Sequence, residues 1–274
     1  MKAAVLIIGC GEIGASLISG WLNKKKIFKK KISKIFVIEK NLLRRKNLKK
    51  KFKKEIFFID EKKDINLINK INYIFLSVKP KDLNSLFNYN LTFNKNSIIF
   101  SVLAGKHVKD IKKIFSSTKN IIRLMLNTPI SINEGTIVYF SEKLLKNEKD
   151  LFLLNLIGRK FKLKNEKFFD LMTAIVGSGP AYFYYILEAM QSVTLKNNVD
   201  KKLAIEILKN TFYGTAKILM NENKSFSELR KKVASRGGTT ESGIKFLEKK
   251  HTKKILINSI NQAIKKARIL RSLK

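Results

Sequence analysis

The sequence predicts an α/β protein: a doubly wound, mostly parallel sheet over residues 1–163, followed by an all-α half over residues 164–274. Three observations carry that reading. Short β-branched runs alternate with helical stretches through the first half, strand signals cease from about residue 168, and a glycine turn joins the first run to the first helical stretch. Repeated strand–helix–strand order with short connections is the pattern of a parallel sheet covered by helices on both faces.

The elements follow in chain order. Ala3–Ile8, Lys34–Glu39, Ile56–Ile59, Tyr73–Val78, Ser97–Val102 and Asn120–Met125 are expected strands, because each is a largely continuous apolar run rather than an alternating one. Helices are expected between them, around 12–24, 41–52, 62–69, 82–88 and 107–116. Gly135–Phe140 adds a strand, and Lys160–Leu163 another at the edge. Beyond that point Tyr182–Leu195, Lys201–Met220, Ser225–Ala234, Thr239–Lys249 and Thr252–Leu270 are expected helices. The last carries Leu256, Ile260, Ala263, Ala267 and Leu270 as one stripe, with lysines opposite. Tyr182–Leu195 is apolar almost all round, through Phe183, Tyr185, Ile186, Leu187, Met190 and Val193, so it should be buried. A purely helical half with so apolar a central element implies a second subunit packed on it, hence a homodimer.

Composition excludes several classes. With 274 residues and 45% hydrophobic content the chain has ample core and is not a disordered polymer. The one cysteine, Cys10, rules out an intrachain disulfide and suits a reducing compartment. The apolar start Ala3–Ile8 is too short for a signal-peptide core or a membrane span. A cytoplasmic protein with no membrane partner is therefore expected. The net charge of +36 comes from lysines in nearly every loop, as at Lys24–Lys26, Lys29–Lys31, Lys49–Lys51 and Lys265–Lys266. A nucleic-acid binder gathers its basic residues on one face, so no nucleic-acid partner is expected. Such a field does favour small anionic ligands. His107 and His251 each begin a predicted helix among lysines, without an evident partner, and no metal-ligand spacing or catalytic triad is present; no metal is expected.

The chemistry concentrates in a few segments. Gly9-Cys10-Gly11-Glu12-Ile13-Gly14 follows a strand and opens a helix, the context of a dinucleotide-binding, Rossmann-like turn. Gly9 permits the tight turn, Gly11 lets backbone approach a pyrophosphate, and Gly14 lets helix pack on strand. Cys10 is small filler, and Glu12 is tolerated if its side chain points to solvent. The N–H groups at the helix start face the phosphates. The second strand ends at Glu39, placed to accept from a ribose 2′-hydroxyl, which favours NADH. Lys40, Arg44 and Arg45 follow and suit a 2′-phosphate, which favours NADPH; both stay open. Strands four and five end in Ser77-Val78-Lys79-Pro80 and Val102-Leu103-Ala104-Gly105, where ligands of open α/β sheets lie. Downstream, Gly177-Ser178-Gly179-Pro180-Ala181-Tyr182 breaks a long apolar helix. In Ser235-Arg236-Gly237-Gly238-Thr239-Thr240, two glycines before a helix expose successive N–H groups as an anion nest, although a plain threonine cap is the simpler reading. The three prolines, Pro80, Pro129 and Pro180, all fall in such segments, Pro129 within Asn127-Thr128-Pro129.

Together these segments resemble pyrroline-5-carboxylate reductase, over essentially the whole chain. The chain departs from that family's pattern at Leu126, where Met-Pro-Asn-Thr-Pro has its first proline, and at Arg236, where Ser-Pro-Gly-Gly-Thr-Thr has a proline. The resemblance implies reduction of 1-pyrroline-5-carboxylate to L-proline by hydride transfer from NADPH, with NADH as the alternative, the last step of L-proline biosynthesis. It also implies cofactor contacts from Val78, Lys79, Pro80 and Ala104, and a substrate carboxylate on Gly237, Gly238, Thr239 and Thr240. The Thr240 hydroxyl would reach the ring nitrogen as the catalytic group. In the family the helical half forms an intertwined dimer, the substrate turn completes a site with a neighbour's nucleotide domain, and dimers associate into rings. The lack of a histidine base fits, because a cyclic imine can take its proton from water or a hydroxyl. Positioning against the nicotinamide then does most of the catalysis. Two alternatives are weaker. A β-hydroxyacid dehydrogenase would place a lysine one turn beyond its glycine-rich helix start, where Phe183–Leu187 stand here, and a basic nucleic-acid-associated protein would need a focused basic face.

Overall fold

The computed structural model describes residues 2–60, 63–84, 86, 91, 93–118, 120–143 and 151–272. The chain divides into two compact units, Met1–Ser178 with Ala263–Lys274, and Gly179–Gln262.

The first unit is built on one eight-stranded sheet. Its strands are β1 (Ala3–Ile8), β2 (Ile32–Ile38), β3 (Ile56–Phe58), β4 (Tyr73–Leu76), β5 (Ile98–Ser101), β6 (Asn120–Leu126), β7 (Gly135–Phe140) and β8 (Gly158–Lys162). They lie in the order β3-β2-β1-β4-β5-β6-β7-β8. The first six run parallel, β7 is antiparallel to β6, and β8 is parallel to β7. The order reverses between β1 and β4, which opens a crevice beyond the carboxyl ends of those strands.

Why the strands read as unbroken apolar runs is visible in β1. Val5 and Ile7 join the core on one face, with Leu17, Ile18 and Trp21 of helix α1 (Glu12–Asn23). Leu6 and Ile8 join the core on the other, with Val108 and Ile111 of helix α5 (Val108–Ile114). Both faces are covered, so no polar face alternates. The remaining helices of this region are α2 (Lys25–Lys31), α3 (Leu42–Phe52), α4 (Ile65–Ile68), α6 (Phe152–Asn155) and α7 (Phe169–Met172). Trp21 anchors α1: its indole N–H donates to the Leu153 carbonyl at 3.0 Å, and its ring packs against Phe28 and Phe75.

Several boundaries differ from expectation. Helix α2 was not anticipated, and β2 begins at Ile32 directly after it. The expected helix at 62–69 begins outside the described residues, and its described part is α4. The expected helix at 82–88 falls partly outside them, and the preceding Pro80–Asp82 forms a 3₁₀ turn. Strand β6 runs on to Leu126, which is buried and in register with Ile137.

After α7 the chain makes a π turn over Thr173–Gly177, closed by Ser178 N–H on the Thr173 carbonyl at 3.0 Å, before α8 (Gly179–Lys196) begins. This break occupies the Gly177–Pro180 segment. Pro180 sits in the first turn of α8, where a missing N–H costs nothing.

The second unit is helical: α8, α9 (Lys201–Asn221), α10 (Phe226–Val233), α11 (Thr239–Lys249) and the start of α12 (Thr252–Ser272). Asp200 caps α9, accepting from the N–H groups of Lys202 and Leu203, and Ser225 with Glu228 forms a capping box on α10. Phe183 of α8 meets Phe212 of α9 at 5.7 Å. The expected burial of α8 is not met within this chain. Tyr185 is 73% exposed and Val193 61% exposed. The apolar surface is there, but the chain's own elements do not cover it.

Candidate functional site

The glycine turn leads from β1 into α1. Gly9 N–H donates to the Ile38 carbonyl at 2.8 Å, which ties the turn to the end of β2. The Ser77 hydroxyl, just past β4, donates to the Gly9 carbonyl. Gly9 has φ +78°, and a Cβ there would stand 2.7 Å from Val78 Cγ1, so both conformation and space demand glycine. Gly14 packs beneath the turn, where a Cβ would lie 3.1 Å from the Gly9 carbonyl oxygen. Gly11 differs: a Cβ would meet no described atom within 4 Å. Only space lies beyond it, as a pyrophosphate cradle requires. Gly11 is also the N-cap of α1 and provides no side-chain cap, so the first N–H groups of the helix are left for a ligand.

A cleft of about 940 Å³ opens beyond the strand ends. Its walls come from the turn (Gly9, Gly11, Glu12 and Ile13), from the end of β2 (Glu39, Lys40, Asn41 and Arg44), from beyond β4 (Ser77 to Asp82) and from beyond β5 (Val102 and Ala104). The structure therefore brings together Gly9, Gly11, Glu12, Ile13, Glu39, Lys40, Val78, Lys79, Pro80 and Ala104. Cys10 and Gly14 stay behind this wall. Cys10 is 1% exposed, and its thiol is pushed up to about 12 by burial and then by the nearby Glu39 carboxylate, which leaves it unreactive. It borders a smaller cavity of about 380 Å³ with Arg44, Asn47 and Lys51.

Glu39 anchors the β2 end of the cleft wall. Its carboxylate accepts from Cys10 N–H and Asn41 N–H, each at 2.9 Å, and from the Arg44 guanidinium at 3.2 Å. Burial alone would raise its pKa, but these donors, with the Arg44 charge, hold it below the usual carboxylate range. Asn41, which the sequence reading passed over, caps α3 by accepting from Arg44 N–H at 2.8 Å. An asparagine immediately before a helical stretch is the signal that identifies it.

The second glycine turn lies in the helical unit. Gly237 has φ +77°, Gly238 is the N-cap of α11, and Thr239 and Thr240 open that helix with exposed side chains. The four expected residues thus form one turn. Gly237 N–H already holds a carboxylate, that of Glu241 at 2.9 Å, while Gly238 N–H donates to the Ser235 carbonyl. This bond and the Lys245 side chain keep the Glu241 pKa below its ordinary value. Gly237 N–H is thus engaged by the chain's own Glu241 side chain at the start of α11.

Sequence reading missed one buried charge cluster. Arg123 of β6 is 1% exposed and pairs with Glu166 at 3.0 Å, and the Glu166 carboxylate also lies 3.0 Å from His107 Nδ1. His107 therefore has a partner, contrary to expectation, and it forms a capping box with Asp110 at the start of α5. The available signal was a lone arginine inside the apolar run Ile121–Leu126. Among the described residues no cluster of His, Cys, Asp or Glu could hold a metal ion, and no helix is long and apolar enough to cross a membrane.

Comparison with known proteins follows this division. The family described as pyrroline-5-carboxylate reductase dimerisation matches residues 166–270, and that described as NADP oxidoreductase, coenzyme F420-dependent, matches residues 4–105. Pyrroline-5-carboxylate reductase 2 of Bacillus subtilis is 33% identical over 198 residues, covering 71% of this chain and 70% of the relative. The pyrroline-5-carboxylate reductase of Staphylococcus haemolyticus is 28% identical over 265 residues, covering 95% of each. Among solved structures, a pyrroline-5-carboxylate reductase from Coxiella burnetii is 25% identical with a TM-score of 0.78, over 98% of this chain and 99% of that one. The Plasmodium falciparum pyrroline carboxylate reductase with NADP bound shares the fold at a TM-score of 0.82 and 23% identity, over 98% of both chains.

Proposed function

Because this chain belongs to the pyrroline-5-carboxylate reductase family, we propose that it reduces 1-pyrroline-5-carboxylate to L-proline with NADPH, the last step of L-proline biosynthesis. The observation that carries the reading is that residues from the ends of β1, β2, β4 and β5 wall one cleft, with Gly11 open beneath an uncapped helix start. The pyrophosphate lies over Gly9 and Gly11, with Gly14 packed behind them so that helix and turn stay close, the adenosine ribose beside Glu39 and Lys40, and the nicotinamide half along Val78, Lys79, Pro80 and Ala104. Cys10, Glu12 and Ile13 shape the turn. Bound there, NADPH supplies the hydride that reduces the imine carbon. Residues 1–163 act as the nucleotide domain, and 164–274 as the dimerisation and substrate domain.

NADPH is favoured over NADH because both Glu39 oxygens are engaged by Cys10, Asn41 and Arg44, while Arg44 and Lys40 stand at the rim of the cleft. A 2′-phosphate then meets cations rather than a bare carboxylate. The substrate carboxylate lies on the turn of Gly237, Gly238, Thr239 and Thr240, displacing the Glu241 carboxylate from Gly237 N–H at the start of α11. The Thr240 hydroxyl donates to, and orients, the ring nitrogen. The enzyme works as a homodimer through its helical half, the turn of one chain serving the cleft of its partner, and dimers associate further into rings. It acts in the cytoplasm, where a lone reduced cysteine is at home.

The test follows NADPH or NADH absorbance with pyrroline-5-carboxylate as substrate. Thr240→Ala is expected to lower kcat about a hundredfold and to leave NADPH affinity within about twofold. Unchanged turnover removes Thr240 from its role, and no turnover by the unaltered protein with either cofactor removes the function.

A further inference from the structure

The Arg123 cluster is not part of the cleft wall, and the proposed reaction makes no use of it. Its geometry links three separate stretches of chain. Glu166 Oε1 accepts from Arg123 Nη1 at 3.0 Å and from Val108 N–H at 2.9 Å, while Oε2 lies 3.0 Å from His107 Nδ1. Arg123 is fixed in turn, because its guanidinium stacks 4.2 Å from the Phe169 ring and its strand is in register with β5 at Ser101. A buried guanidinium needs its carboxylate, since removing one partner strands an uncompensated charge. The carboxylates of Asp170 and Asp110 add attraction, while burial depresses the Arg123 pKa.

What the clamp holds is the start of α5. Residues 102–106 run from the end of β5 to His107, so they are pinned at one end by the sheet and at the other by Glu166. Within that loop Val102 and Ala104 line the dinucleotide cleft. Because Glu39 marks the adenosine ribose and Gly11 the pyrophosphate, this loop borders the nicotinamide half.

We propose that Glu166 is a positioning residue for the reaction: through His107, Val108 and Arg123 it fixes the 102–106 loop, and so the seat of the nicotinamide. The proposal rests on the cleft being the NADPH site. Glu166→Gln keeps the shape and an acceptor for Val108 N–H but removes the charge that the buried Arg123 requires. Loosening at one end of the cleft weakens only ligands that reach that end.

The experiment measures Kd for NADPH and for adenosine 2′,5′-bisphosphate, which carries the adenosine end alone, together with steady-state KM and kcat. Glu166→Gln is expected to raise the NADPH Kd and KM about fivefold or more, and to leave the bisphosphate Kd within about twofold. His107→Asn, which retains a good helix cap, is expected to shift NADPH in the same direction by a smaller factor, and it decides the matter if Glu166→Gln fails to fold. Equal effects on both ligands, or none on either, overturn the positioning role. A native protein that binds the bisphosphate and NADPH equally weakly overturns instead the reading of the cleft, and this proposal with it.

Discussion

At Glu39 one carboxylate is held by three donors, two of them backbone N–H groups, Cys10 in the glycine turn and Asn41 at the start of α3. An acid at the end of a second strand is expected to read a ribose hydroxyl. Here it also ties the glycine turn to the start of α3, with Arg44 as its third donor and its neighbour in the cleft wall. On the proposed reading, selectivity between dinucleotides rests on Arg44. Arg44→Ala removes a guanidinium from the 2′-phosphate and leaves the Glu39 charge less compensated. A charge-assisted hydrogen bond contributes about 1.5–3 kcal/mol, so the NADPH KM should rise about tenfold or more, with the NADH KM changing less than about twofold. Steady-state kinetics with both cofactors checks this; equal rises would move 2′-phosphate recognition elsewhere. The pairing could not be read from the sequence, which left Glu39 and Arg44 as competing indications rather than as partners.

Among the elements, α8 has the wider consequence. Its entry is set by the π turn at Thr173–Gly177, and its aromatic surface, Phe183 to Tyr185 onward, stays largely exposed in the single chain. A large exposed apolar patch marks an interaction surface, and the match to a dimerisation family over 166–270 fits a second copy. Tyr185→Lys puts a charge on the exposed aromatic surface that the proposed dimer would bury. Burying one such side chain contributes about 1.5–3 kcal/mol, so the dimer Kd should rise at least about tenfold. Sedimentation velocity reads the shift, and an unchanged assembly would place the interface on another face. Helix α2 shows where element reading fails. Among its seven residues only Phe28 is buried, and the rest of the lysine-rich segment gives no 3.6-residue period.

Over the whole molecule, what the sequence revealed was local in origin. The parallel sheet was legible because a strand covered on both faces, such as Val5–Ile8, leaves an unbroken apolar run. The glycine turn was legible because Gly9, with φ +78° and no room for a Cβ, does what no other residue can at its position. The Arg123–Glu166–His107 clamp was not, because its members lie far apart in the chain and only the sheet brings them together. The covering of α8 was inferred but not located, since it depends on a surface outside the chain. The central claim is that this chain moves a hydride from a nicotinamide onto the ring of a bound cyclic imine, and product labelling tests it most directly. With NADPH deuterated at the transferring position of carbon four and 1-pyrroline-5-carboxylate as substrate, mass spectrometry should find L-proline carrying a single deuterium on ring carbon five. Unlabelled proline, or none above the uncatalysed background, would contradict the account.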